Sequence, residues 1–435
     1  MRSRQRMLMG GQIRMLPGIC AAGLLAAAVA GAQTGAPVIS TGSNTNAPDP
    51  VFLDVAKVDT TDSDICLRIQ QAWSALAGKS GVLDARSITG TVTCGSDPFS
   101  TATQGVLLLG NVIIQTTVPW QVPTHVWVNG LGDAGSFTAQ DTVLQAASGF
   151  SNPGNATPQI CVANALVCLG HGAQAFRAQL SNMDLDCNSQ PGCTIAAYNG
   201  AAQDGSWFQG VTLANASAAG LMVSLTEFQN SNKQNFFGAV NSGPYHNVTV
   251  QYWQSCGGCN PVGVLVQNTG PSNLDFGGVV RDFDNFTVSG NNACGTGNTC
   301  TGTGFLIEGA SVNITNSHVE YYSTSVQIGA SGYSTNGVEI TNMYLSNTNT
   351  GQGVLIYFPT TSGNSTGDIT ISGLNYGANG PSLNDQVGGN MLTDPFIAFY
   401  AVGHIGGTKG ELRPKVVSTS PNLTNGTGGT GGNPH

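Results

Sequence analysis

Two sets of residues in this chain have the types and the spacing for proton chemistry. His318 and Glu320 stand two residues apart, Tyr344 follows downstream, and Asp282, Asp284 and His246 lie upstream. A histidine, carboxylates and a tyrosine form a general acid and base set of the kind that works on sugars. Tyr321, Tyr322 and Trp253 offer flat surfaces on which sugar rings stack. The second set is Asp184 and Asp186. On a strand, residues two apart share a face at about 6.5–7 Å, the lower edge of the gap an inverting glycosidase leaves for its water. Each set also has a purely structural reading. The first is then a polar outer face with one satisfied histidine, and the second an edge leading into a Cys187–Cys193 loop.

A repeat must position these residues. Between 180 and 376 the chain writes one phrase seven times: apolar, any, Asn or Gly, apolar, any, apolar. The copies run Leu180-Ser-Asn-Met-Asp-Leu185, Phe208-Gln-Gly-Val-Thr-Leu213, Tyr245-His-Asn-Val-Thr-Val250, Phe283-Asp-Asn-Phe-Thr-Val288, Ile314-Thr-Asn-Ser-His-Val319, Ile340-Thr-Asn-Met-Tyr-Leu345 and Ile371-Ser-Gly-Leu-Asn-Tyr376. A period of this length marks a solenoid, in which each unit buries its apolar face only against its neighbours. A short strand, often opened by glycine (Gly220, Gly263, Gly304, Gly353), follows each copy. Leucine-rich repeats would need an L-x-x-L-x-L line that is absent, so stacked parallel strands remain. The third position turns a corner in left-handed backbone, which Gly and then Asn tolerate best. Asn side chains stacked there can bond along the axis. Position five and the residue after position six are expected to face solvent. Consecutive coils, about 4.8 Å apart, then bring the His318 set together on one central face.

One helix stands out ahead of the strands. Ile65, Ile69, Ala72, Trp73 and Leu76 recur at helical spacing, Asp62 or Ser63 can cap the start, and Gly78 stops it. Residues 1–32 read as a signal peptide: Arg2, Arg4, Arg6 and Arg14, an apolar stretch from Leu16 to Ala30, and an Ala30-Gly-Ala32 cleavage site. Residues 33–54 read as a flexible leader, 55–415 as one domain, and 416–435 as a Gly-rich tail without packing.

Removing the signal leaves 10 basic against 23 acidic residues, a net charge of −13. Such a surface argues against nucleic acid and anionic membranes, and against a polyanionic sugar unless calcium bridges the two. No stretch after the signal is long and apolar enough to span a bilayer. Ten cysteines fall in local couples: Cys66 and Cys94, Cys161 and Cys168, Cys187 and Cys193, Cys256 and Cys259, Cys294 and Cys300. In an exported chain these read as nearest-neighbour disulfides. Zinc would need two C-x-x-C elements, and only Cys256-Gly-Gly-Cys259 has that spacing, so no metal is expected beyond the calcium just named.

The helix, then Ser80-Gly-Val-Leu-Asp-Ala-Arg86, Leu109-Gly-Asn-Val-Ile-Ile114 and Val122-Pro-Thr-His-Val-Trp-Val-Asn-Gly-Leu-Gly132, resemble the opening of secreted proteins of the pectate lyase-like superfamily, which includes rhamnogalacturonases and epimerases. The resemblance covers residues 60 to 400. It implies an all-β, right-handed parallel β-helix, capped by a short N-terminal helix, with catalysis on an outer sheet face. The superfamily also holds hydrolases, phage tailspikes and proteins without known activity. Gly170-His-Gly172 is similar to an element of polygalacturonases, but their Asn-Thr-Asp and Asp-Asp motifs do not occur here. The expectation is therefore a secreted or periplasmic protein whose partner is a polysaccharide or cell-surface glycan. It is either a lyase or hydrolase using His318, Glu320, Asp282 and Asp284 with Tyr344, Tyr322, His246 and Trp253 at the sugar, or a non-catalytic scaffold.

Overall fold

Among the described residues every strand pairing is parallel. The structure is a computed structural model, which describes residues 51–132, 141–151, 164–169, 176–200, 205–224, 243–256, 259–267, 279–291, 293, 300–308, 311–329, 335–346, 354–357, 366–376 and 397–402. Among them lie a 17-stranded and an 8-stranded sheet, with a single short α-helix. The chain is a parallel β-helix, as the repeat predicts.

Most of the described coils contribute three strand segments. The larger sheet bends along a line, which divides it into what we call the first and second faces; the smaller sheet forms the third. The bend is the third position of the repeat. Asn182, Asn247, Asn285, Asn316 and Asn342 hold φ of 56, 53, 58, 50 and 54°. Gly210 takes the same place at 58°, and a Cβ there would come within 2.7 Å of Asn182 Oδ1. The amides bond up the axis as expected. Asn182 Nδ2 donates to Asn129 Oδ1 at 2.8 Å, Asn342 Nδ2 to Asn316 Oδ1 at 2.7 Å, and Asn285 Nδ2 to Asn247 Oδ1.

The apolar positions of the phrase fill the core. Leu180, Phe208, Tyr245, Phe283 and Ile314 are all fully buried on successive coils, and the Tyr245 and Phe283 rings stack at 5.0 Å. Ser317, the polar exception, is also buried; its hydroxyl donates to Thr315 O at 2.8 Å and accepts from Phe286 N at 3.3 Å. Gly220, Gly263 and Gly304 follow from the corner before the third face. A Cβ on each would lie 2.5, 2.2 and 2.3 Å from Cγ1 of Val250, Val288 and Val319.

The helix, α1 (Ile65–Ala75), closes the N-terminal end with Ile65, Ile69, Ala72 and Trp73 buried. Its cap is Asp64 rather than Asp62 or Ser63: Asp64 Oδ1 accepts from Cys66 N at 2.8 Å. Asp62 instead accepts from Asp64 N at 2.8 Å, setting the turn that presents the cap. The first strand, Val51–Asp54, pairs with Gly81–Asp84 and so falls within the stretch expected to be flexible leader. Disulfides join Cys66 to Cys94, Cys187 to Cys193 and Cys256 to Cys259. Cys168 is also disulfide-bonded. Cys161, Cys294, the Cys300 side chain, the signal and the tail lie outside the described residues.

Candidate functional site

The second face carries His318, Glu320 and Tyr344. The short strand His318–Glu320 pairs with Thr287–Ser289 on one side and Tyr344–Ser346 on the other, so Thr287, His318 and Tyr344 form one column. Val319 between them is fully buried, which turns its two neighbours outward. His318 Nε2 stands 3.4 Å from Glu320 Oε2, within ion-pairing reach but without hydrogen-bond geometry. Ser289 Oγ donates to the other oxygen, Glu320 Oε1, at 3.0 Å. The Tyr344 ring meets the imidazole edge-on at 4.8 Å between centroids and is 41 % exposed.

Two effects compete at His318. Burial lowers its pKa, and the Glu320 charge raises it; burial wins. The imidazole therefore stays neutral, and able to accept a proton, to a lower pH than an ordinary histidine.

His246 and Asp284 lie elsewhere. They pair across adjacent coils on the first face, ahead of the asparagine corner, with His246 Nδ1 2.9 Å from Asp284 Oδ2. Asp284 Oδ1 accepts from Thr315 Oγ1 and Asn316 Nδ2, both at 2.8 Å. These donors and the imidazole hold the carboxyl below its usual range, Asn316 contributing most. Asp282 is exposed and accepts from Asn313 Nδ2 at 3.1 Å. Among the described residues no hydrogen bond or ion pair joins this group to His318 or Glu320. A single central cluster is thus replaced by two groups, because Asn285 and Asn316 turn the chain between them.

Three further expectations change. Asp184 and Asp186 are buried although they point away from the core. Asp186 is ringed by donors: Gln145 Nε2 to Oδ2 at 2.8 Å, Asn215 Nδ2 to Oδ1 at 2.7 Å and Asn188 N to Oδ1 at 2.7 Å. This pair does not flank an open cleft. Tyr322 is fully buried in the core, and burial raises its phenol well above the ordinary range, so it offers no ring to a ligand. Trp253 is half-buried in a corner fixed by its own amide, which donates to Asn215 Oδ1 at 2.9 Å. The sequence reading missed Ser289, which buttresses Glu320. Its signal was present, since Ser289, Glu320 and Ser346 occupy the place after position six in successive copies.

A metal site is not evident in these groups. Asp64, Cys66 and Cys94 do approach one another, but the two sulfurs are bonded and the carboxylate caps α1.

Fold and site thus define a parallel β-helix with a histidine–carboxylate–tyrosine group on an outer face. No family model matches the chain, and no curated protein matches it. Solved structures to which the chain is similar include ORF18 of Geobacillus virus E2, at 11 % identity and a TM-score of 0.32 over 75 % of this chain. This chain spans about half of that protein's length, 52 %. YbhC of Escherichia coli is similar at 13 % identity and a TM-score of 0.29, over 81 % of this chain and 80 % of its own. The A-module of the mannuronan C-5 epimerase AlgE4 of Azotobacter vinelandii is similar at 12 % identity and a TM-score of 0.24, over 75 % of this chain and 91 % of its own.

Proposed function

We propose that this protein is an exported, carbohydrate-active β-helix that cleaves a polysaccharide from its second face. The observation that carries the reading is the His318–Glu320–Tyr344 group, with its 3.4 Å histidine–carboxylate approach beside an exposed tyrosine ring. A neutral imidazole beside a carboxylate can take a proton from a sugar carbon or hydroxyl. Tyr344 supplies the surface that sets the ring against it.

Elimination fits this group better than hydrolysis. Hydrolysis needs two carboxyl groups flanking the glycosidic bond. Among the described residues Glu320 is the carboxylate paired with His318, Asp284 sits beyond the corner, and Asp186 is enclosed. In the elimination, His318 removes the proton next to a sugar carboxylate, the pair of electrons left behind forms a carbon–carbon double bond, and the glycosidic oxygen leaves and is protonated. A divalent cation such as calcium would be needed to bridge the acidic chain and such a substrate. A polysaccharide panel read for both unsaturated and reducing ends tests this. Unsaturated ends support it; reducing ends without unsaturation indicate a hydrolase.

The alternative is a glycan-binding scaffold. What favours it is the polar lining of the outer columns, where Thr341 and Ser372 hydroxyls lie 3.2 Å apart and the asparagine amides bond to one another. Binding to a glycan with no product of either kind would support it.

A further inference from the structure

The first face carries an aromatic column that the site on the second face does not use. Phe52, Val82, Val106, Trp127, Gln179 and Trp207 are in register on successive coils. Their strand neighbours Leu53, Leu83, Leu107, Val128, Leu180 and Phe208 are buried, so the column itself faces out. Phe52 is 45 % and Trp127 41 % exposed, and Trp207 is half-buried. Val82 and Val106 separate Phe52 from Trp127, and Gln179 separates Trp127 from Trp207, so three large rings share one outward strip, which marks a contact surface.

The adjoining outward column is polar. Asn129, Ser181, Gln209 and His246 follow one another in register. Ser181 Oγ accepts from Trp127 Nε1 at 2.8 Å and donates to Asn129 Oδ1 at 2.9 Å, which fixes the indole on the sheet. Three charge pairs lie along this stretch, Asp54 with Lys57 at 3.4 Å, Asp84 with Arg86 at 2.7 Å and Asp284 with His246 at 2.9 Å, while Arg177, which flanks Gly205 together with Trp207, is exposed.

We infer that this face binds a neutral polysaccharide strand lying along the helix axis. Trp127 and Trp207 stand two coils apart, about 9.6 Å at the spacing of paired strands, a step that a disaccharide can bridge. Each ring then receives the apolar face of one sugar, while half-buried Asn129 and exposed Gln209 meet its hydroxyls; Ser181, buried beneath the indole, only holds Trp127 in place. Amides beside flat aromatic groups match an uncharged sugar, whereas a polyanion meets an acidic chain of net charge −9 that sets, among the described residues, the single exposed cation Arg177 beside Trp207. Trp127 and Trp207 thereby become an anchor to a neutral matrix glycan, on a different face from His318 and separate from the acidic substrate proposed for it.

Calorimetric titration of the intact secreted chain with cellohexaose, xylohexaose, mannohexaose and hexagalacturonate tests the assignment. At least one neutral oligosaccharide should bind. Trp127→Ala and Trp207→Ala should each weaken it roughly tenfold, the loss of one stacking contact. Trp127→Phe, which keeps a ring, should retain most of the affinity, and His318→Ala should leave it unchanged. The melting temperature of Trp127→Ala checks that the fold is intact. The assignment fails if only hexagalacturonate binds, if no oligosaccharide binds, or if both alanine variants bind as the parent does. It also fails if sedimentation shows that Trp127 serves a dimer contact instead.

Discussion

Asn215 donates its side-chain amide to Asp186 at 2.7 Å from the next coil, and its carbonyl oxygen accepts from the backbone amides of Trp253 and Gln254, at 2.9 and 3.2 Å, one coil further. On the other side Gln145 donates to Asp186, and Gln115 donates to Gln145 at 3.1 Å. A polar ladder thus crosses several coils at one corner, with a buried carboxylate at its centre.

Removing that carboxylate should be costly. Asp186→Ala strands three donors in a buried corner and should destabilise the protein by about 2–3 kcal/mol; urea denaturation will read this. Burial holds the Asp186 pKa above the ordinary carboxylate value despite the donors. A raised folded pKa means the folded state binds the proton more tightly. The resulting stabilisation is full below the unfolded value of about 3.9 and is lost as pH rises through the folded value. Relative to Asp186→Asn, the parent should therefore gain stability on acidification.

At His318 the sign is reversed. The folded pKa is lowered by burial, so the stability this group contributes is present above the unfolded value of about 6.5 and is lost as pH falls through the folded one. Tyr344→Ala opens the imidazole to water and should raise its pKa toward the ordinary value. Glu320→Gln removes the opposing charge and should lower it further. Proton NMR of the imidazole will follow both, and shifts in the same direction would show that burial and charge are wrongly ranked.

The corner phrase made the fold legible before any coordinates. Asn at position three serves both left-handed backbone at a bend and an amide ladder along the axis, and its recurrence announces the coil. The same residue explains what was misread. Reading His246, Asp284 and His318 as one face ignored the turn that Asn285 and Asn316 impose between positions two and five. Burial of Asp184, Asp186 and Tyr322 was hidden for a different reason: alternation tells which side of a strand a residue takes, not what covers that side. Tyr322 follows Tyr321, held at φ 60°, and that kink sends its ring inward.

The helical cap is tied down covalently. Cys66 in α1 and Cys94 in the strand Gly90–Cys94 close a loop over a sequence separation of 28. Loss of such a crosslink costs about 3–4 kcal/mol in the chain-entropy account. Cys94→Ala, with Cys66→Ala to remove the orphan thiol, should lower the unfolding free energy read from urea denaturation by that amount. Peptide mapping without reduction should recover Cys66–Cys94, Cys187–Cys193 and Cys256–Cys259 as pairs, and a Cys66–Cys187 crosslink would break both the pairing and the register.

The central claim is that His318 and Glu320 do the chemistry on the second face. The most direct measurement is turnover of the best panel polysaccharide by His318→Ala and Glu320→Gln, alongside their melting temperatures. Both side chains point outward, so folding should change little. The account predicts turnover reduced by at least about a hundredfold in each, the low end for a lost general acid or base. Turnover at the parent rate in both variants would contradict it.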